Sequence, residues 1–350
     1  MDRDPNTRPN YGIIVNIVGT YFPVDLSRCE AGSPSSTPAA NAVIGPYQAP
    51  QRPGLFGAER ILSRSKIRHE CLSLGLTEAM GLALPPAAAF GFRRQPDGSF
   101  ADPFVIGFSM DGFPWGGPFA FTFVSPPQDN RATLLFSWDD FSDSPDTGVD
   151  QFFVDVTLGA PVVLGAYRWN TRTKATVRSG FSATRLALDG FGAETTTRQS
   201  NGHFAGGWLW FDDETVSDNI WMTKPTGRIP STTWSRPQTV PRVNDLSAPK
   251  GQPFFAPPVL YFTSVSRERM AIYSAELKGV DPTKGDSWTA PKPELVGESA
   301  DWKSGRTGAI VGLGEPSVAQ PRADETWLYF VYIRKTASGV DANVGRVRRR

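Results

Sequence analysis

The feature that most limits how this chain can fold is a repeat in its C-terminal half. One unit reads Trp208-Leu-Trp-Phe211, then Asn219-Ile-Trp-Met222, then Thr233-Trp-Ser-Arg-Pro237. The next reads Val259-Leu-Tyr-Phe262, then Ala271-Ile-Tyr-Ser274, then Ser287-Trp-Thr-Ala-Pro291. A third reads Trp327-Leu-Tyr-Phe330, followed by Asn343-Val-Gly-Arg346. Each block is a short aromatic or β-branched run bounded by Gly, Pro, Asp or Ser, which is a strand with its turns.

Two weaker copies lie upstream. Ala89-Phe-Gly-Phe92, the turn Gln95-Pro-Asp-Gly98, Phe104-Val-Ile-Gly-Phe-Ser109 and Asp111-Gly-Phe-Pro-Trp115 make one. Leu134-Leu-Phe-Ser-Trp138 and Gln151-Phe-Phe-Val154 make the other. The stretch from Pro161 to Gln199 reads as irregular. A spacing of roughly 45–70 residues, with turn residues and aromatics in this proportion, predicts a radial array of four-stranded sheets, a β-propeller. The 34 Gly, 31 Pro, 23 Phe and 10 Trp agree with an all-β chain. The expectation is one domain spanning residues 1–350, with five blades and six as the alternative.

The last unit is short of a fourth strand, and an open ring would expose strand edges. The β-prone run Tyr11-Gly-Ile-Ile-Val-Asn-Ile-Val18 is therefore expected to close the ring, Ile13–Val18 pairing with the last unit. Glu30 to Pro53 reads as a surface loop, and Glu59 to Leu76 as a segment containing a short helix.

The charge balance of 36 basic to 35 acidic side chains disfavours a polybasic nucleic-acid binder. No run approaches the ~20 apolar residues of a membrane-spanning helix. No apolar segment follows Met1, so no signal peptide is expected. With two histidines, His69 and His203, a multi-histidine metal site is excluded, and no cofactor motif is present. Cys29 and Cys71 form one disulfide or are both free.

Gln252-Pro-Phe-Phe, Leu260-Tyr-Phe-Thr-Ser264, Ile272-Tyr-Ser-Ala275 and Trp288-x-x-Pro291 resemble the WD40-like repeat of TolB-type propellers. Ser109-Met-Asp-Gly-Phe-Pro-Trp115 resembles a turn of five-bladed glycoside hydrolases, and is one residue short of the sialidase Asp box that it resembles less closely. Gly314-Glu-Pro-Ser-Val318 resembles a strand of the five-bladed arabinosidase and xylosidase families, with Glu in place of Asp. These resemblances imply a carbohydrate-active chain, glycoside-hydrolase-like, and an exported one, periplasmic or extracellular.

In a propeller, the start of a blade's innermost strand and the turn after its second strand share one face. Aligned on the aromatic hairpins, Asn201 lies eight residues before Leu209 and Gln252 eight before Leu260. Glu315 takes the same place ahead of a longer hairpin, and Glu78 corresponds in the first unit. These four are expected to ring the channel mouth. Asp139-Asp140, Asp212-Asp213-Glu214, Arg267-Glu-Arg269 and Arg334-Lys335 are expected in the turns after strand two, further from the axis.

Glycoside cleavage needs two carboxyl groups ~5–9 Å apart. Glu315 is the candidate general acid and Asp212 the candidate base or nucleophile, with Glu78 as substitute. Asn201, His203, Gln252 and Arg267 are candidate substrate contacts, and Trp138, Trp208 and Trp210 candidate stacking faces. The plainer readings stand beside these: solvated hairpin acids, a satisfied channel histidine, and packing roles for Trp234 and Trp288. The expected partner is a small molecule or glycan bound by a monomer. The alternatives are a non-catalytic propeller binding a ligand or protein, and an enzyme of other chemistry with an aromatic-lined channel pocket.

Overall fold

The structure is a computed structural model. It describes residues 14–15, 42–43, 59–60, 88–91, 104–109, 119–124, 128–139, 149–158, 160, 162–170, 175–179, 183–186, 188, 199–213, 219–229, 233–266, 270–297, 307–322, 325–337 and 340–349.

In chain order the strands begin with β1 (Ile14–Val15), β2 (Ala42–Val43), β3 (Glu59–Arg60), β4 (Ala88–Gly91) and β5 (Phe104–Ser109). Next come β6 (Phe119–Phe123), β7 (Arg131–Asp139), β8 (Val149–Thr157), β9 (Val162–Asn170), β10 (Ala175–Ser179) and β11 (Thr184–Arg185). Then follow β12 (Gln199–Ala205), β13 (Trp208–Asp213), β14 (Asn219–Thr223), β15 (Gln238–Thr239), β16 (Lys250–Ala256), β17 (Val259–Val265), β18 (Met270–Glu276) and β19 (Lys292–Val296). The last are β20 (Ile310–Arg322), β21 (Glu325–Lys335) and β22 (Val340–Arg349).

The chain is all-β, its mostly antiparallel sheets set in a propeller-like arrangement of four blades. The first blade is β6-β7-β8-β11, the second β12-β13-β14-β15, the third β16-β17-β18-β19 and the fourth β20-β21-β22-β3 with β2 outside it. The innermost strands β6, β12, β16 and β20 neighbour one another in chain order. A further sheet, β1-β4-β5-β9-β10, contains the one parallel pairing among the described strands, β5 with β9.

Local chemistry fixes the hairpins. The turn between β6 and β7 is Asp129-Asn130, with φ of 48° and 62°, and that between β12 and β13 is Gly206-Gly207, with φ of 62° and 77°. Type I′ two-residue hairpins need positive φ at both central positions, and Asn, Asp and Gly reach it at least cost.

The second strands are apolar on both faces because each is sandwiched between neighbouring blades. Leu209, Trp210 and Phe211 are all buried, as are Leu260, Tyr261 and Phe262. The core is accordingly distributed over the seams. Leu135 and Phe153 pack with Leu209 and Phe211 between the first two blades. Trp210 packs with Phe255 and Leu260 in the next seam, and Tyr261 with Leu313 and Leu328 in the one after. Trp234 and Trp288 hold equivalent places. Trp234 meets Phe204 of its own blade and Phe153 of the blade before, at 6.3 and 6.1 Å. Trp288 meets Phe255 and Trp210 in the same manner, at 6.2 and 6.0 Å.

Two expectations are corrected. The run containing Ile14 and Val15 does not pair with the last unit; it pairs with β4 at Gly91 and Phe90. Glu59 and Arg60 supply the fourth strand of the last blade in its place, pairing with Arg346 and Gly345; the rest of the segment expected to contain a short helix, residues 61–76, lies outside the described residues. β3 lies between β22 and β2 and is held by backbone pairing on both sides. The stretch from 161 to 199 is not irregular throughout, because β9 and β10 form a hairpin there and β11 completes the first blade.

Candidate functional site

The inner strands share one irregularity. Each loses register with its second strand at the same place: between Phe119 and Thr122, Ser200 and His203, Gly251 and Phe254, and Gly314 and Ser317. The residues inside these bulges are therefore equivalent: Ala120, Asn201, Gln252 and Glu315. The first three have φ of 52°, 53° and 53°, a left-handed backbone that costs a non-glycine residue roughly 1–2 kcal/mol. A bulge redirects a side chain out of the regular pleat, and bulges gather at sheet rims and beside sites. The alignment of Asn201, Gln252 and Glu315 expected from the hairpins is the observed register. Ala120 is the member that sequence spacing missed, and Glu78 lies outside the described residues.

Paired with the residue just before each bulge is one position of the second strand, occupied by Ser137, Asp212, Thr263 and Val331. From two of these, Ser137 and Asp212, the side chain reaches across the seam. The backbone N–H of Asn201 donates to Ser137 Oγ at 3.0 Å. The backbone N–H of Gln252 donates to Asp212 Oδ2 at 2.6 Å. The bulge side chains fold back onto the same positions. Asn201 Nδ2 donates to Asp212 Oδ2 at 2.8 Å, and Thr263 Oγ1 donates to Gln252 Oε1 at 2.8 Å. Ser200 Oγ also donates to Asp212 Oδ1.

Glycine makes this approach possible. A Cβ on Gly251 would lie 2.6 Å from Asp212 Oδ2, one on Gly202 2.2 Å from Gln151 Oε1, and one on Gly314 2.5 Å from Gln252 Oε1. Each is a polar side chain of the preceding blade, pressed against the glycine next to a bulge.

Asp212 and Asp213 are not turn residues. Both lie on β13, paired with Ile220 and Asn219, and both are buried, at 2% and 0% exposure. Burying a carboxylate is costly unless donors replace water, and Asp212 has three. The structure makes it a clamp between the second and third blades.

Trp138 and Trp210 are fully buried, which leaves no face for a sugar ring. Trp138 packs on Phe136 and Phe152, and Trp210 on Phe255 and Trp288 while its Nε1–H donates to the Ala205 carbonyl at 3.1 Å. Trp208 is half-buried with Lys224 Nζ 4.3 Å from its ring centroid.

His203 bridges three blades. Its ring stacks on Phe254 at 4.0 Å, Nε2 lies 3.1 Å from the Phe255 carbonyl and Nδ1 lies 3.3 Å from Thr122 Oγ1. Because a carbonyl only accepts, Nε2 carries the proton and Nδ1 accepts from Thr122. Desolvation lowers the His203 pKa from 6.5 to about 4, opposed by the bond to Phe255. It is a neutral histidine at physiological pH.

Asp111, Arg267, Cys29 and Cys71 lie outside the described residues. Among the described residues there is no group of three or more His, Cys, Asp or Glu able to hold a metal ion, and no helix long and apolar enough to cross a membrane. The polar positions opposite the bulges were also missed from sequence, although a signal exists. Leu134-Leu-Phe-Ser137, Leu209-Trp-Phe-Asp212, Leu260-Tyr-Phe-Thr263 and Leu328-Tyr-Phe-Val331 align as one four-residue pattern.

No protein-family model matches the chain, and no curated protein matches it either. Among solved structures, a protein of unknown function from Dyadobacter fermentans is 9% identical, with a TM-score of 0.40, over 78% of this chain and 87% of that one.

Proposed function

We propose that this chain is a ligand-binding propeller whose channel mouth receives a polar small molecule or glycan, with Asn201, Gln252 and Glu315 as its contact positions. The observation that carries this reading is the repeated bulge. Three successive inner strands place a non-glycine residue in left-handed backbone at the same register, and Glu315 occupies that register in the fourth. Strain repeated at one level of a fold is a pointer to function. Amides and a carboxylate are the groups that recognise hydroxyls by hydrogen bonding.

In this proposal the chain acts as a monomer, and the ring has five blades, the β1-β4-β5-β9-β10 sheet supplying the fifth. The contact of β1 with β6, the inner strand of the first blade, supports this count. Binding is favoured over catalysis through Asp212, because that carboxylate is buried and accepts three hydrogen bonds. A glycoside-hydrolase-like reading rests on Glu315 as general acid, with Glu78 in place of Asp212 as its partner.

The test is a glycan array read beside a nitrophenyl glycoside screen, using the native chain, Gln252→Ala and Glu315→Gln. Glycan capture weakened in both variants supports the mouth as the site. Hydrolysis abolished by Glu315→Gln supports the enzyme reading; hydrolysis that survives removes Glu315 from it. Binding unchanged in both variants refutes the proposed site.

A further inference from the structure

We propose that His203 is an acid-responsive bolt: gain of a proton by its imidazole weakens the junction of the first three blades. His203 is 8% exposed on β12, touches Thr122 of β6 on one side, and touches Phe254 and the Phe255 carbonyl of β16 on the other. Both ring nitrogens are used, one as donor and one as acceptor. A second proton goes to Nδ1. Thr122 must then turn from donor to acceptor, and a full charge stands among apolar rings.

No carboxylate faces that charge from the described strands. At the level of His203 the neighbouring strands carry Leu135, Phe153, Trp210 and Tyr261. β6 has no charged residue. On β16 the one charged residue is Lys250, whose ammonium donates to the Leu246 and Ala248 carbonyls. On β13, Asp212 and Asp213 lie two and three residues beyond Trp210; Asp212 is held by Ser200, Asn201 and the Gln252 N–H, and Asp213 pairs with Gln199 and Asn219 at the strand's end. On β7 the described charged side chain is Arg131, which is exposed. On β8, Asp155 is exposed and bonded to Thr133, while Asp150 pairs opposite Trp138 near the strand's other end. A charge without a partner here is desolvated and uncompensated.

The sign follows from the two states. Unfolded, the imidazole titrates at its ordinary 6.5; folded, it resists protonation to about 4. The contribution to stability is whole above the unfolded value. It falls as pH drops through the window between the two, because the unfolded chain takes up the proton first. The folding equilibrium constant loses roughly tenfold per pH unit there from this residue.

The test compares denaturant unfolding of the native chain and His203→Gln from pH 7 to 4. Glutamine can donate to Phe255 and accept from Thr122 but does not titrate in this range. The proposal expects the native chain to lose stability across that window more steeply than the variant, by the slope of one proton. Equal slopes overturn it. If His203→Gln does not fold, His69→Gln leaves His203 as the single histidine, whose ring signals are followed by NMR. Signals of a neutral ring down to pH 5 support the proposal, and a midpoint near 6.5 overturns it.

Discussion

The seam between the first and second blades and the seam between the second and third solve one problem with different chemistry. In both, a side chain three residues after the leucine of the second strand accepts the backbone N–H of the next blade's bulge residue. In the first it is the hydroxyl of Ser137, and in the second the carboxylate of Asp212. The backbone defines the joint and the side chain is interchangeable within it. The hydroxyl holds one further donor, Gln151 Nε2 at 3.0 Å, and the carboxylate two, Ser200 and Asn201, so more depends on the carboxylate.

The comparison can be broken at several points. Asp212→Ala strands three donors in a buried site and is expected to cost about 3 kcal/mol in denaturant unfolding, since buried polar networks lose most when one partner is removed. A loss no larger than that of Ser137→Ala would show the two seams to be energetically alike. Gly251→Ala places a methyl group where the Asp212 oxygen stands, 2.6 Å away, and is expected to cost about 2 kcal/mol, read as a fall in melting temperature. Asp212→Ala combined with Gly251→Ala should then cost less than the sum of the two, because both disturb one contact. Ser137→Ala removes a single acceptor and is expected to cost about 1 kcal/mol. The smallest effect has the opposite sign. Ala120→Gly relieves left-handed strain at a bulge with no side-chain bond to lose, and is expected to stabilise by about 0.5 kcal/mol.

Much of this architecture could be read from the residues. Trp234 and Trp288 each sit in a Trp-x-x-Pro run behind their hairpin, and both are buried in equivalent seams. The spacing that equated Asn201 and Gln252 survives as a register, because both hairpins turn in two residues and the bulge adds the same offset; Glu315 keeps the register ahead of a longer hairpin. Asp212 was misplaced for a physical reason. A pair of aspartates after an aromatic run has the composition of a turn, and nothing local reveals that a neighbouring blade brings a backbone N–H to meet it. The closing strand was misassigned on similar grounds. Hydrophobicity singles out Ile14 and Val15, but the place beside β22 is defined by backbone pairing, to β22 on one side and β2 on the other, and takes Glu59 and Arg60. The stacking role expected of Trp138 and Trp210 failed because blades bury both faces of their second strand.

The pairing of Arg60 with Gly345 has a bearing on how the molecule is assembled. The two partners are separated by nearly the whole chain, so this contact carries an entropic toll that short hairpins avoid and belongs among the late events of folding. A ribosome would release Glu59 and Arg60 long before their docking place exists. The fourth blade is thus the part of the ring that waits for β22 before it can be completed.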